Sequence, residues 1–129
     1  MLPEEEIVRI CALVVLTATG VDVLRDKAVV RGSPDLQKSR ALWVHLVVCE
    51  FNITRGRASY LCDRSLESID RYLGEIEEWR TDLEFSDSLD RWGESAKQLM
   101  ALTFDFTRLI PNRRTRAIAK AAVRERAVA

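Results

Sequence analysis

Apolar positions along the chain recur at steps of three and four, the spacing that puts side chains on one face of a helix. Ile7, Ile10, Cys11, Val14 and Ala18 follow this spacing behind Pro3 and Glu4-Glu5-Glu6. Proline loses no hydrogen bond in a first turn, and carboxylates there meet the positive end of the helix dipole. Val15 and Leu16 widen the apolar face, which predicts a helix central to the core and ended by Gly20. A short second helix is predicted from Val21 to Lys27, with Val21 and Leu24 inward. In AVVRGSPD, Gly32, Ser33 and Pro34 mark a loop and a new start, with Ser33 as N-cap, Pro34 at the first helical position and Asp35 in the first turn. The third predicted helix runs to about Asn52 and carries Leu36, Leu42, Trp43, Leu46, Val47 and Glu50.

The stretch TRGRASYLCDRSLESIDRYL, from Thr54, is too polar for one long buried helix and too apolar for a loop. Thr54 caps a short helix with Ala58, Leu61 and Cys62 on one face. From Ser65 the phase restarts, and Leu66, Ile69, Leu73, Ile76 and Trp79 fall at steps of three, four, three and three. Extending that stripe backward places Arg64 and Asp63 where apolar residues belong. Two helices joined by a tight turn near Asp63 are therefore expected. Further on, Ser86 is a candidate cap for a helix whose stripe is Leu89, Trp92, Ala96, Leu99, Leu102 and Phe106, ended at or near Pro111. NRRTRAIAKAAVRERAVA then forms a basic tail rich in Ala and Arg. The expected class is all-α, divided into residues 1–82, an additional amphipathic helix over 83–110 and the tail over 111–129.

Composition narrows this picture without identifying a partner. The 129 residues, 47% of them apolar, suffice for one core and are too few for two ordinary domains. Twenty basic residues balance twenty acidic ones. They are distributed in blocks: residues 25–64 carry a net +4, residues 66–94 a net −7, and the last 25 residues a net +5. Such blocks predict a basic face and an acidic face. Cys11, Cys49 and Cys62 are an odd number without C-x-x-C spacing, each among apolar neighbours, and read as buried thiols of a reduced cytoplasmic protein. The longest apolar run falls far short of the ~18 residues that span a bilayer. The three glutamates stand where a signal peptide would carry positive charge.

The residue inventory argues against an enzyme. His45 is the single histidine and lies inside a predicted helix with no nucleophile to pair with, so it reads as structural or solvated. Cys/His spacing for zinc and the glycine patterns of nucleotide cradles are both missing, and no metal or cofactor is expected. Acidic pairs such as Glu77-Glu78 read as solvated helix surface. Geometry and the block of basic charge together point to nucleic acid. In a helix-turn-helix the second helix enters the major groove and its first turns meet base edges, while the first helix and loops hold phosphates. With Leu66, Ile69 and Leu73 inward, Ser65, Glu67, Ser68 and Arg71 face outward, beside Arg64 in the turn. The arginines suit guanine or phosphate and the serines either. Glu67 can accept from cytosine but repels phosphate, and Asp70 adds to that repulsion. Arg55 and Arg57, with Arg25, Lys27 and Arg31, are candidate phosphate or minor-groove anchors.

These residues resemble the C-terminal DNA-binding domain of the replication initiator DnaA, a Trp-repressor-like helical domain, from about Ile7 to Trp79. VDVLRDKAVVRGSPDLQKSRALWVHLV is similar to that family's short helix, basic loop and long helix, with Arg40 at the arginine that opens the long helix. TRGRASYLCDRSLESIDRYLGEIEEW resembles its helix-turn-helix, with Thr54 at the capping serine, Cys62-Asp63 at Phe-Gly, and Arg64 at the arginine of R-D-H-T-T-V. Ser65, Leu66, Glu67 and Ser68 stand where the family has Asp, His, Thr and Thr, so most of the initiator's base-reading set is not carried over. The initiator's ATPase domain is also absent from this sequence. The resemblance implies a DNA-binding module and adds Arg40 and Thr54 to the candidate DNA contacts. DnaA-like modules of this kind also occur in activators of gene-transfer-agent expression, in which the DNA-binding part can be separate from a sigma-factor-like part, and size and architecture here are similar.

The expected function is thus a nucleoid-associated regulator of transcription, an activator or co-activator that reads double-stranded DNA with the helix starting at Ser65. Its protein partner would be a sigma-factor-like protein or RNA polymerase, met by Arg113, Arg114 and Arg116 of the tail. The alternative is a module that kept the fold but lost DNA binding, and binds a partner through its acidic helix and tail. No heptad run fixes an oligomeric state.

Overall fold

The computed structural model describes residues 4–25 and 34–109, and every regular element among them is helical. The first helix, α1, spans Glu4–Thr19 and buries Ile7, Val8, Cys11, Ala12, Val14 and Val15; of the expected face Ile10 is only partly buried, and Leu16 and Ala18 are exposed, while Val8 and Ala12 join the core. Gly20 ends it with a positive φ of 77° that a glycine adopts without steric cost. The described part of the predicted second helix is instead a turn at 23–25, in which the Asp22 carboxylate accepts from the backbone amides of Leu24 and Arg25. An aspartate that bonds its own backbone two residues on favours a turn. Val23, rather than Leu24, fills the core, at 2% against 36% exposure. Lys27, Arg31 and the Ser33 cap lie outside the described residues.

Helix α2, Pro34–His45, continues into a single π-helical turn, Leu46–Glu50. Nine consecutive residues, 39–47, are buried. A helix buried on every side normally reads as apolar all round, yet this one encloses Ser39, Arg40 and His45. It is the centre of the molecule, packed by α1 and by the later helices. Trp43 fixes it to α1 by donating its indole N–H to the Val8 carbonyl at 3.0 Å. The π turn accommodates one residue more than an α turn would, which re-phases the residues after it by about 100°. Cys49, expected among the buried thiols, is exposed there. Asn52 then takes the left-handed conformation (φ 55°), which asparagine tolerates better than most residues, and the helix stops.

Helix α3, Arg55–Cys62, and helix α4, Leu66–Trp79, are separate, as the phase break predicts. Asp63 is left-handed (φ 53°, ψ 51°); its amide donates to Tyr60 O and the Arg64 amide to Ser59 O, so the last carbonyls of α3 are satisfied in a Schellman arrangement. Ser65 then caps α4 by accepting from the Ser68 amide. The buried stripe of α4 is Ile69, Tyr72 and Ile76, with Leu73 and Trp79 partly covered. Leu66, expected inward, is 47% exposed, because at the first helical position no preceding turn or neighbouring element covers it.

Helix α5, Leu83–Leu109, starts earlier than the Ser86 cap predicts. Asp82 is the cap, accepting from the Phe85 amide. The helix packs on α1 and on the π turn, and Leu89, Ala96 and Met100 join the same core as the other helices. Trp92 and Leu99 pack against that core, whereas Leu102 is 64% exposed, so the predicted stripe turns out to solvent there. The Phe106 side chain and the basic tail lie outside the described residues. The Glu50 carboxylate rests over Gly93, where a Cβ would overlap it, and pairs with Lys97 at 3.1 Å. This joins the π turn to α5 through a charged contact at the core's edge.

His45 has 2% exposure, and neither ring nitrogen has a hydrogen-bond partner among the described residues. Burial, and secondarily the charge of Arg80, hold its pKa below the ordinary 6.5 against the opposing pull of Glu50, Glu77 and Asp90. The unfolded chain therefore binds a proton that the folded chain refuses, and stability is lost as pH falls from 6.5 toward the depressed value. The expected slope in that window is up to about 1.4 kcal/mol per pH unit from this residue, and His45→Leu should flatten it in denaturant titrations run from pH 7 to 5. Burial raises the thiol pKa of Cys11, and that of Cys62 to about 12. A maleimide reagent at neutral pH should therefore label Cys49 first in the native protein, and Cys11 and Cys62 only on unfolding, as read by peptide mass.

Candidate nucleic-acid interface

The turn between α3 and α4 brings part of the predicted set together. Arg64 and Ser65 line an open depression of about 660 Å³ with Glu5, Ser59, Tyr60 and Asp63. The Arg57 guanidinium lies 5.0 Å from the centre of the Tyr60 ring, so Arg57, Tyr60, Arg64 and Ser65 form one cluster facing the N-terminal turn of α1. Arg55 is turned the other way. It reaches α4 and pairs with Asp70 at 2.5 Å, next in sequence to Arg71. Cations therefore flank the start of α4 on both sides. Arg25 is exposed at the end of the turn after α1.

Three of these arginines already have partners. Arg57 Nε donates to both carboxylate oxygens of Glu4 at 3.1 Å, Arg55 pairs with Asp70, and Arg71 lies 4.0 Å from Glu75. All these pairs are substantially exposed, and such pairs contribute about 0–1 kcal/mol each, so a phosphate can exchange for the carboxylate at little cost. Arg64 differs. It is half-buried, its Nε is withdrawn from solvent without a hydrogen-bond partner, and it makes no ion pair among the described residues. The backbone fixes its position, because its amide donates to Ser59 O and its carbonyl accepts from Ser59 Oγ.

The hydroxyls have structural duties as well. Thr54 Oγ1 accepts from the Arg57 amide and caps α3; Ser65 Oγ caps α4 and donates to Ser68 Oγ at 2.9 Å. Glu67 is exposed in the first turn of α4. Arg40 does not belong to this surface. At 2% exposure inside α2, it presents no guanidinium to a nucleic-acid backbone. The position was expected to open the long helix at its edge, but α2 is covered on all sides there. Lys27, Arg31, Arg113, Arg114 and Arg116 lie outside the described residues.

Sequence reasoning passed over two residues at this site. Tyr60 is 74% exposed and Leu66 47% exposed, an aromatic and an aliphatic side chain on either side of the turn. The signal for Tyr60 was present, since it lies off the Ala58-Leu61-Cys62 face of α3. For Leu66, extrapolating the stripe to the first helical position hid it. The carboxylate partners Glu4 and Asp70 stand 53 and 15 residues from their arginines and give no local pattern.

If these carboxylates compete with phosphate, removing one should strengthen binding. Asp70→Asn is expected to change folding stability by less than about 1 kcal/mol. It should also raise affinity for duplex DNA a fewfold and steepen the dependence of log Kd on log salt by up to about one, by freeing Arg55; fluorescence anisotropy at several salt concentrations measures both. No family model matches the chain, and neither a curated protein nor a solved structure shows significant similarity to it.

Proposed function

We propose that this chain is a regulator of transcription, an activator or co-activator, that binds double-stranded DNA with the first turns of α4 in the major groove. The observation that carries the reading is Arg64 at the start of α4: its backbone is held by two hydrogen bonds to Ser59, and its half-buried side chain makes no ion pair among the described residues. A cation anchored through its main chain and without a carboxylate partner is available to an anion or a guanine edge. The tight turn after Asp63 and the amide-bearing N-terminus of α4 add to it, since unsatisfied N–H groups at a helix start favour phosphate. Arg55 on one side and Arg57 on the other suit the two backbones that border a groove. The DnaA-like reading of residues 7–79 supports the same docking, with a recognition sequence of its own because Ser65 to Ser68 depart from that family's pattern. Residence on the nucleoid, and a sigma-factor-like protein or RNA polymerase as partner, belong to this proposal.

The ion pairs favour a second reading, in which the acidic positions Glu67 and Asp70 meet a basic protein partner and DNA binding has been lost. Reversing both charges would then abolish a protein complex while DNA affinity stayed near zero.

The two readings separate in one series of measurements. For a DNA reader, binding falls steeply with salt, and Arg64→Ala and Arg71→Ala weaken selected sites by about 1–3 kcal/mol while weakening random duplex less. Selection of bound sequences from a random library, followed by anisotropy titrations of the two variants, gives the result. Equal, weak binding of all duplexes that neither substitution alters would reject the DNA reading.

A further inference from the structure

The chain has three tryptophans, and only one is fully enclosed. Trp43 is 2% exposed in the core, whereas Trp79 and Trp92 are only partly buried. They stand with Phe85 at the corner where α4 turns into α5. Trp79 and Phe85 meet edge-to-face with centroids 5.9 Å apart, and Phe85 and Trp92 at 6.1 Å. Phe85 and Trp92 are seven residues apart, two turns along one face of α5. The three rings wall a cleft of about 550 Å³, completed by Leu42 of α2 and Thr19 at the end of α1. Its charged lining is Glu78 and Asp82 against Lys38.

Arg80 holds this corner from outside the cleft, pairing with Asp90 at 2.7 Å and approaching Ser86 Oγ at 3.4 Å. The wall therefore belongs to a braced turn rather than to a loose segment. The volume is in the range of ligand-binding clefts. Small-molecule sites orient their ligands with a few convergent polar groups inside, and here the charged groups are carboxylates and a lysine at the ends of long or solvent-facing side chains. An aromatic-lined recess ringed by polar groups is instead the form in which protein interfaces receive a large anchoring side chain. The surrounding sequence fixes the sign of the partner. Residues 77–90, from the end of α4 into α5, carry six acids against Arg80, a net −5, and Glu78 and Asp82 line the cleft itself.

We infer that the Trp79–Phe85–Trp92 cleft is a docking site for a basic amphipathic helix of a partner protein, which inserts one large apolar side chain between the rings and lays its lysines or arginines on the acidic rim. This is a helix-in-groove contact with electrostatic complementarity at its border. It lies at the end of α4 remote from Ser65 and is independent of DNA binding.

The test uses the full chain and three synthetic helical peptides of about 15 residues, all free of tryptophan so that protein emission reports binding. One has lysines on its polar face and a central Phe on its apolar face; the second replaces that Phe with Ala; the third replaces the lysines with glutamates. The first should bind at least about tenfold more tightly than either of the others, with affinity falling as salt rises. Trp92→Ala should reduce that affinity about tenfold. Glu78→Lys with Asp82→Asn should do the same while retaining the helix cap, so that a loss of binding is not a loss of fold; far-UV circular dichroism checks this for each variant. Equal binding of the three peptides, or unchanged binding by both variants, overturns the inference. Two results would assign the cleft another occupant and overturn it equally. One is self-association, measured by sedimentation, that Trp92→Ala removes. The other is tighter peptide binding after Arg113→Glu, Arg114→Glu and Arg116→Glu, which would mean the chain's own tail occupies the cleft.

Discussion

Withdrawing residues 39–47 from water on every side is the constraint around which the other helices are arranged. A surface helix needs one packing partner; a helix enclosed all round needs several. Here α1 covers one side, α4 another, and the π turn at the end of α2 receives α5. The Trp43 indole N–H would be left unsatisfied in this interior, and the Val8 carbonyl takes it, which ties the register of α1 to that of α2. Tyr72 does the same from α4, donating its hydroxyl to the Gln37 side chain at 3.2 Å. Polar tips thus set where the apolar faces slide to rest.

That enclosure also explains what could and could not be read from the sequence. The break between α3 and α4 was legible because Asp63 and Arg64 interrupt an otherwise regular stripe, and the same interruption appears as a left-handed residue followed by a serine cap. The face of α3 followed from spacing alone, and that of α1 did so in its first three turns, beyond which Leu16 and Ala18 are exposed. The central position of α2 did not, since Ser39, Arg40 and His45 give it a mixed pattern that resembles a half-exposed helix. The DnaA resemblance assigned Arg40 to a surface it does not reach, and nothing in that mixed pattern spoke against it. The start of α5 was misjudged for a local reason: Asp82 and Ser86 are both acceptable caps, and the choice depends on how Trp79 and Phe85 pack across the corner.

Of the candidate site, the cations near the turn were visible as a block of charge, but their pairing was not. Arg55 and Arg57 sit two residues apart and so point to different sides of α3, one to α4 and one to α1. Each finds a carboxylate that no sequence pattern announces. The result is a surface that carries arginines yet holds most of them neutralised, with Arg64 the exception set by burial rather than by composition. Exposed pairs of this kind are exchangeable contacts and not structural clamps.

Helix α4, Leu66–Trp79, carries the cationic turn at one end and the aromatic cleft at the other. At 1.5 Å per residue this rod is about 21 Å long, more than twice the roughly 8 Å over which exposed charges feel one another in physiological salt. The acidic corner at Trp79 therefore does not cancel the field around Arg64, although the whole chain sums to zero. A duplex at the first turn and a polypeptide at the last would also have room to be bound together without touching.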